Sequence, residues 1–503
     1  MTEQDFFDLV REGYNRIPLV AELPGDLETP LSVYLKLANA PYSYLLESVV
    51  GGERFGRYSI IGLPARTVLR VRRHVLTLET DGQVVETHTT PDPLSFIADY
   101  QAQFRAAPLT GLPRFTGGLA GYFGYDAVRY IEPRIANSAP PDTLHLPDIM
   151  LLLTEEVAVI DNLSSKLYLI VHADPTQPEA YACAQARLRE LKQRLQQPIP
   201  VREQTHGAVT PVTREFAHDD YLAAVARAKD YIAAGDMMQV QIGQRLSKRF
   251  TEPPLALYRA LRSLNPSPYM YFYNLGDFHV VGASPEILVR QEATPEGVKV
   301  IIRPLAGTRP RGSSREQDLA LEQELLADPK ERAEHVMLID LARNDLGRIA
   351  QTGSVKVIEQ MVVERYSHVM HIVSHVEGVL KDGLTTMDVF RATFPAGTLT
   401  GAPKVRAMEI IDQLEPSKRG IYGGAVGYLS FAGGMDLAIA IRTGIIKDNT
   451  LYVQAAAGIV ADSVPENEWM ETLNKARAVI RAAELVQGQS NEEAANPSST
   501  IAN

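Results

Sequence analysis

The sequence predicts an α+β protein in which large antiparallel sheets are covered by helices. Three observations carry this. Apolar and polar residues alternate in many short runs, of which TVLRVRRHVLTLET is the clearest. Turn pairs such as Gly51-Gly52, Asp81-Gly82 and Asp161-Asn162 separate these runs at hairpin spacing. Helical stretches intervene, but without the strict strand–helix–strand order of a parallel sheet. At 503 residues the chain exceeds one compact core, so two large domains or one elaborate two-lobed domain are expected.

In chain order, residues 1–20 read as a helix and its exit, and Leu31–Ala38 as a second short helix. Residues 43–65 read as strand, Gly51-Gly52 turn and strand, and Arg66–His88 as a hairpin with Asp81-Gly82 at its tip. Asp92–Arg105 is helical, and Gly117–Tyr130 is a glycine-broken strand leading into a helix. Ile149–Ile160 and Ser165–Val171 pair as strands, and Pro178–Leu195 is a long polar helix. Residues 196–213 lose periodicity and gain Pro and Gly, so they link an N-terminal segment, 1–195, to a second segment, 214–487. That second segment opens with a helix over Arg214–Ala234, closed by Gly235. A strand MMQVQIGQRLSKRF, a helix over Leu255–Asn265 and two strands with Gly276 and Gly282 follow. VKVIIRPLAGTRPRG then reads as a strand ending in a loop rich in Gly, Pro and Arg. The polar tail, 488–503, is expected to be disordered.

Composition narrows the function classes. The formal net charge is −11, there is one Trp and no Lys/Arg run, which argues against nucleic acid as a partner. Apolar runs such as Ile149–Leu153 are too short to span a bilayer. The N-terminus lacks an apolar signal region, and the one cysteine, Cys183, excludes an internal disulfide framework; both fit the cytoplasm. Cys183 sits in an Ala-rich helical run and is expected to be packed. Neither a GxSxG, a Walker A sequence nor a zinc-type histidine spacing is present.

The chemistry centres on Lys330–Gly347. Glu331 and Glu334 are three apart, hence on one helix face, at the mouth of a helix whose Val336, Met337, Leu338 and Leu341 face a core and which Gly347 stops. Glu468 and Glu471 repeat the device, with Lys475 one turn further on and Ser463–Glu466 reading as a capping box. Two readings are open at this point: four carboxylates for a hard oxygen-preferring cation such as Mg2+, or two solvated acidic faces with Glu471 paired to Lys475. Loops at Ala306-Gly307-Thr308, Gly397–Pro403, Tyr422-Gly423-Gly424 and Ala457-Gly458 can present backbone N–H groups to a ligand. With Arg442 at a strand end they could form a pocket for a polycarboxylate.

Long blocks of the chain resemble one family. They include LLES (45–48), NPSPYM (265–270), PLAGTRPRG (304–312) and KERAEHVMLIDLARND (330–345). They continue with RYSHVMH (365–371), FPAGTLTGAPKVRAMEII (394–411), YGGAVGY (422–428), DLAIAIRT (436–443) and ADSVPENEWMETLNKA (461–476). Over about residues 15–485 the chain resembles the anthranilate synthase component I family of chorismate-utilising enzymes. The resemblance implies a two-lobed fold in which antiparallel sheets form a sandwich flanked by helices. It implies Mg2+ held by Glu334 and Glu471, with Glu331 and Glu468 supporting through water. It implies chorismate contacts at Gly307, Thr308, Tyr422, Arg442 and Ala456-Ala457-Gly458, with Thr398 and Lys475 also lining the site. His371 matches the histidine of the second half-reaction, as base or as orienting group. Where the family often has Gly-Ala-Gly, this chain has Ala456-Ala457-Gly458, which favours Gly458 as the contact.

The implied reaction is that of a lyase in tryptophan biosynthesis. Ammonia adds at ring C2 as the C4 hydroxyl leaves, then loss of the C2 proton and of pyruvate yields anthranilate. Relatives that add water to chorismate, isochorismate and salicylate synthases, carry Lys where this chain has Gln239. Aminodeoxychorismate synthase component I, the alternative identity, often carries Lys where this chain has Ala306. An inactive binding protein of the same fold is the non-enzyme alternative. Glu47, Ser48, Pro268, Tyr269, Met270 and Tyr428 match the family's L-tryptophan feedback site. Glutaminase machinery is not recognisable in the chain, so a partner amidotransferase subunit, component II, is expected to supply ammonia in a heterotetramer.

Overall fold

The structure, a computed structural model, describes residues 1–49, 56–199, 209–366 and 369–488. Two 12-stranded sheets, antiparallel in their pairings, dominate them. The first runs from Ile17–Pro24 through Lys166–Ala173, Glu156–Asp161, Tyr58–Gly62 and Ser43–Glu47. It continues through Tyr269–Asn274, Phe278–Ser284, Thr443–Lys447, Thr450–Ile459 and Gln239–Arg249 to Thr213–Arg214, and Gly401–Ala402 pairs with Gln239–Arg249. The second runs from Leu305–Pro310 through Val369–Val379, Gly297–Ile302, Ile287–Thr294, Met435–Ile439 and Ala425–Ser430. It ends through Gly118–Phe123, Ile149–Thr154, Thr67–Arg72, Val75–Thr80 and Gln83–Thr89, with Lys356–Arg365 on the far side of Val369–Val379.

Alternation gives each sheet two apolar faces to cover. The inner faces meet over a cluster that includes Tyr44, Tyr122, Met150, Tyr271, Tyr273 and Val426. Large aromatics there each remove roughly 150–250 Å2 from water. On the outer face of the first sheet pack the helices Pro30–Leu37, Ala180–Leu195, Pro254–Leu264 and Pro465–Val486. On that of the second pack Pro93–Ala102, Pro329–Ile349 and Thr386–Thr393. The α+β reading therefore describes the molecule: two antiparallel sheets face to face, helices outside.

The two sequence segments do not divide the structure in space. Ser43–Glu47 pairs with Tyr269–Asn274, and Gly118–Phe123 with Ala425–Ser430, so both sheets draw strands from both segments. Residues 200–208 of the 196–213 linker, residues 489–503 of the 488–503 tail and the Gly51-Gly52 turn lie outside the described residues.

Several local expectations need correction. The run Ile149–Ile160 is two strands in different sheets, Ile149–Thr154 and Glu156–Asp161; it breaks at Glu155, which Arg16 holds at 2.9 Å. The Arg66–His88 hairpin is a three-strand meander, with a second turn at Arg73, whose φ is 54°. The PLAGTRP loop is itself an edge strand, Leu305–Pro310. A helix over Arg315–Ala327 follows it that periodicity did not announce. The Lys330–Gly347 helix spans Pro329–Ile349: Gly347 lies inside it, and Val336 is exposed while Ile339, Ala342 and Leu346 face the core. The Ser463 capping box does not form; Val464 is the N-cap, Pro465 starts the helix, and the Ser463 hydroxyl bonds Glu468 instead. Cys183 is exposed on its helix rather than packed.

Candidate active site

The site gathers where edges of the two sheets approach under two helix mouths. Arg442 lies between Met435–Ile439 of one sheet and Thr443–Lys447 of the other, on the segment that crosses between them. Its φ is +52°, a left-handed conformation that costs a non-glycine residue roughly 1–3 kcal/mol. Such strain is retained where the side chain must be aimed. Burial pushes the guanidinium down from its usual range, and Tyr422, Glu286 and Glu471 push it back up. Among the described residues no carboxylate pairs directly with the half-buried fork, as an anion site requires.

The second sheet brings Gly307, Thr308 and His371. A bulge between Ala306 and Thr308 shifts the register against Val369–Val379 and puts Gly307 at φ +65°. A Cβ there would lie 3.0 Å from Leu325 Cδ1 and 3.2 Å from Glu331 Oε2, so the backbone runs close to the acidic helix mouth. His371 Nδ1–H donates to the Gly307 carbonyl at 2.9 Å, with Thr308 Oγ1 at 3.1 Å. Burial holds the ring down at about 4, so it is neutral at pH 7 with Nε2 left to accept a proton.

The first sheet brings Ala456, Ala457 and Gly458, in register with Gly243, Ile242 and Gln241. Lys475 Nζ donates to the Ala456 carbonyl at 2.9 Å and pairs with Glu471 at 2.6 Å. Gln239 Nε2 donates to Glu334 Oε1 at 3.3 Å, tying this sheet to the Pro329–Ile349 helix of the other layer. A Cβ on Gly458 would lie 2.7 Å from Gln239 Nε2 and 2.9 Å from Gln241 Nε2. Both are ends of flexible side chains, so Gly458→Ala should fold normally but displace the Gln239 amide. We expect a substrate KM raised about 10-fold, roughly 1.4 kcal/mol, with the melting temperature unchanged; steady-state kinetics with calorimetry checks this.

The acidic pairs are oxygen-only donors that repel one another. Burial and then Glu334 raise Glu331, which accepts from Arg309 at 3.3 Å. Burial raises Glu468, and Glu471 raises it further while Lys330 lowers it, which places the two helix mouths in electrostatic contact. A hard divalent cation relieves such repulsion, so the donor chemistry fits Mg2+. Among the described residues no three His, Cys, Asp or Glu side chains close around one point, and the carboxylates stand as two pairs.

Sequence reasoning missed Glu286 at this site. Glu286 precedes the strand Ile287–Thr294, is buried, and accepts from Thr398 Oγ1 at 3.1 Å. Burial raises its carboxyl to about 8, against the lowering effects of Thr398, Arg442 and Lys475. The only prior signal was a lone acid in an otherwise apolar GASPEILV run. Tyr422, raised to about 12 by burial, faces the charge of Arg442.

A second cavity, of about 230 Å3, lies between the sheets. Glu47, Ser48, Pro268, Tyr269, Met270 and Tyr428 all line it, together with Arg290 and Asp436. The Glu47 carboxylate is already engaged, accepting from Tyr258 Oη and from Arg262 at 3.0 and 3.2 Å. Asp436 accepts from Tyr269 Oη at 3.1 Å and from Arg290 Nε at 3.0 Å. The pocket thus offers charge of both signs beside an aromatic and Met wall, which suits a zwitterion with an apolar side chain. Sequence reasoning named the wall but missed Asp436 and Arg290.

The chorismate-binding enzyme family matches residues 63–481. Anthranilate synthase component 1 of Pseudomonas aeruginosa is 58% identical over 492 residues, covering 97% of this chain and 99% of the relative. The chain belongs to the anthranilate synthase component 1 family. The family member from Aquifex aeolicus is 49% identical over 494 residues, covering 96% of this chain and 97% of its own. Among solved structures, anthranilate synthase component I from Streptococcus pneumoniae superposes with a TM-score of 0.77 at 38% identity, covering 91% of this chain and 99% of that one. Within the described residues, no helix is long and apolar enough to cross a membrane.

Proposed function

We propose that the protein converts chorismate and ammonia to anthranilate and pyruvate, opening tryptophan biosynthesis in the cytoplasm. Family membership together with the Glu286–Thr398–Arg442 constellation carries this reading. Arg442 takes the enolpyruvyl carboxylate, and the Gly307 and Gly458 backbones close on the ring. Ammonia bonds to ring C2, the double bond shifts, the C4–O bond breaks, and the new ammonium group releases a proton to water. Glu286, protonated at neutral pH because burial raises it, gives its proton to the departing hydroxyl, which leaves as water. His371 Nε2 then takes the C2 proton, the bond from ring C3 to the ether oxygen breaks, and the ring becomes aromatic as enolpyruvate leaves and takes up a proton to become pyruvate. Glu334 and Glu471, with Glu331 and Glu468 in support, would hold Mg2+, which would supply positive charge to offset the ring carboxylate.

Two positions support ammonia over other nucleophiles. Gln239, bonded to Glu334, cannot act as the general base that water needs, and ammonia needs none. Ala306, buried on the edge strand, cannot attack C2, which favours anthranilate over the 4-amino-4-deoxychorismate of the alternative reading. Purified chain with chorismate, Mg2+ and ammonium at alkaline pH should release a fluorescent product with the mass of anthranilate; 4-amino-4-deoxychorismate in its place would sink the assignment.

In the cell, ammonia comes from glutamine through a component II amidotransferase subunit in a heterotetramer. L-tryptophan fills the second cavity and inhibits, since that cavity joins strands from both segments and includes Asp436, whose strand leads to Arg442. Ser48→Phe places a ring in the cavity. Basal turnover should persist while the tryptophan concentration for half-inhibition rises at least about 10-fold; an unchanged inhibition curve would remove the cavity from this role.

A further inference from the structure

Arg419 and Glu415 form an ion pair in the interior, with residue exposures of 3% and 5%. The pairing is bidentate, Nε to Oε2 at 2.9 Å and Nη2 to Oε1 at 2.6 Å. The rest of the fork reaches two backbone carbonyls, Leu399 from Nη1 at 2.6 Å and Gln241 from Nη2 at 3.0 Å. Glu415 Oε1 also accepts from the Gly243 amide at 2.7 Å. The guanidinium lies 4.7 Å from the Tyr125 ring centroid and 5.8 Å from that of Tyr422.

Stability does not account for this arrangement. Two charges withdrawn from water incur a desolvation cost that often matches or exceeds their attraction, and apolar replacements are often neutral or better. What the pair achieves is geometric. Leu399 ends the single turn Gly397–Leu399 that carries Thr398, and its carbonyl has no further turn to accept from. Gln241 lies on the strand whose side chains face Gly458. Only a planar fork can hold a carboxylate and both carbonyls at once.

We propose that Arg419, backed by Glu415, is a positioning residue: it clamps the Gly397–Leu399 turn to the Gln239–Arg249 strand so that Thr398 presents its hydroxyl to Glu286. This rests on the reaction assigned above. The clamp spends its donors on the protein and leaves the substrate to Arg442. Without it the turn relaxes, Thr398 withdraws, and Tyr422 loses the cation behind its ring.

Wild type, Arg419→Lys, Thr398→Val and the double variant are compared. Lys keeps the charge beside Glu415 but cannot span both carbonyls. Arg419→Lys should lower kcat by about 10- to 100-fold, the scale of a small misplacement, with KM for chorismate changed less than about 3-fold. The Thr398 hydrogen bond lowers Glu286, so losing it moves the alkaline limb of the rate profile upward in both single variants. On the Thr398→Val background, Arg419→Lys should cost less than about 2-fold more. Equal cost on both backgrounds, or wild-type kcat in Arg419→Lys, overturns the proposal. If Arg419→Lys does not fold, Glu415→Gln takes its place with the same expectations, and wild-type kcat and profile in that variant overturn it equally. Amide hydrogen exchange at residues 398–400 should quicken in either variant, and unchanged exchange overturns the clamp. A wild type that yields no anthranilate sinks the reaction assignment instead, and exchange still judges the clamp.

Discussion

Glu286→Gln slows anthranilate formation by roughly 10²–10⁴-fold, the usual share of a positioned general acid. The side chain keeps its shape and can still accept from Thr398, so the fold and chorismate binding persist. In the wild type the acid works only while protonated. Activity should therefore fall as pH rises through the raised value of about 8, and this limb should vanish in the variant. Alkaline assays supply more free ammonia and partly mask the decline, so the profile is read at a fixed concentration of NH3 rather than of total ammonium. Survival of the alkaline limb in Glu286→Gln would show that another group gives the proton.

Glu334→Gln and Glu471→Gln each reduce turnover by at least about 10³-fold, near 4 kcal/mol of transition-state stabilisation. Activity alone does not distinguish a lost ligand from a disturbed fold. Mg2+ should bind the wild type by calorimetry and raise its melting temperature, and both effects should disappear in both variants. The two differ in one respect. Glu471 is paired with Lys475, so the amide leaves that ammonium without its counter-charge, whereas the amide at 334 can still accept from Gln239. Glu331→Gln and Glu468→Gln, acting through water, should weaken Mg2+ by the roughly 10- to 100-fold typical of an outer shell.

How far the residues announce this structure depends on the range of each signal. Period-two alternation makes Thr67–Arg72, Val75–Thr80 and Gln239–Arg249 recognisable, because it follows from neighbouring side chains alone. The carboxylate spacing at 331/334 and 468/471 is local in the same sense. What the sequence hides is long-range. Nothing in Ile149–Asp161 tells that the strand leaves one sheet at Glu155 and enters the other, because both halves are equally apolar. Leu305–Pro310 looks like a loop because Gly307, Pro310 and the preceding Pro304 outweigh its strand signal, yet Val369–Val379 supplies the partner that holds it. Gly347 reads as a stop, but the core contacts of Leu346 and Ile349 outweigh its cost in the helix. Glu286 and Arg419 escape for one reason: each is a single charge whose meaning lies in burial, which no local pattern reports.

The partnership between Gly118–Phe123 and Ala425–Ser430 also sets a clock on biosynthesis. The earlier strand, buried along its whole length in the finished protein, emerges about 300 residues before its mate. At translation speeds of roughly 5–20 residues per second, it waits on the order of 15–60 s without the neighbour that covers its edge. Over that interval the nascent N-terminal half exposes strand edges at the middle of both future sheets, and it is a natural client for a chaperone.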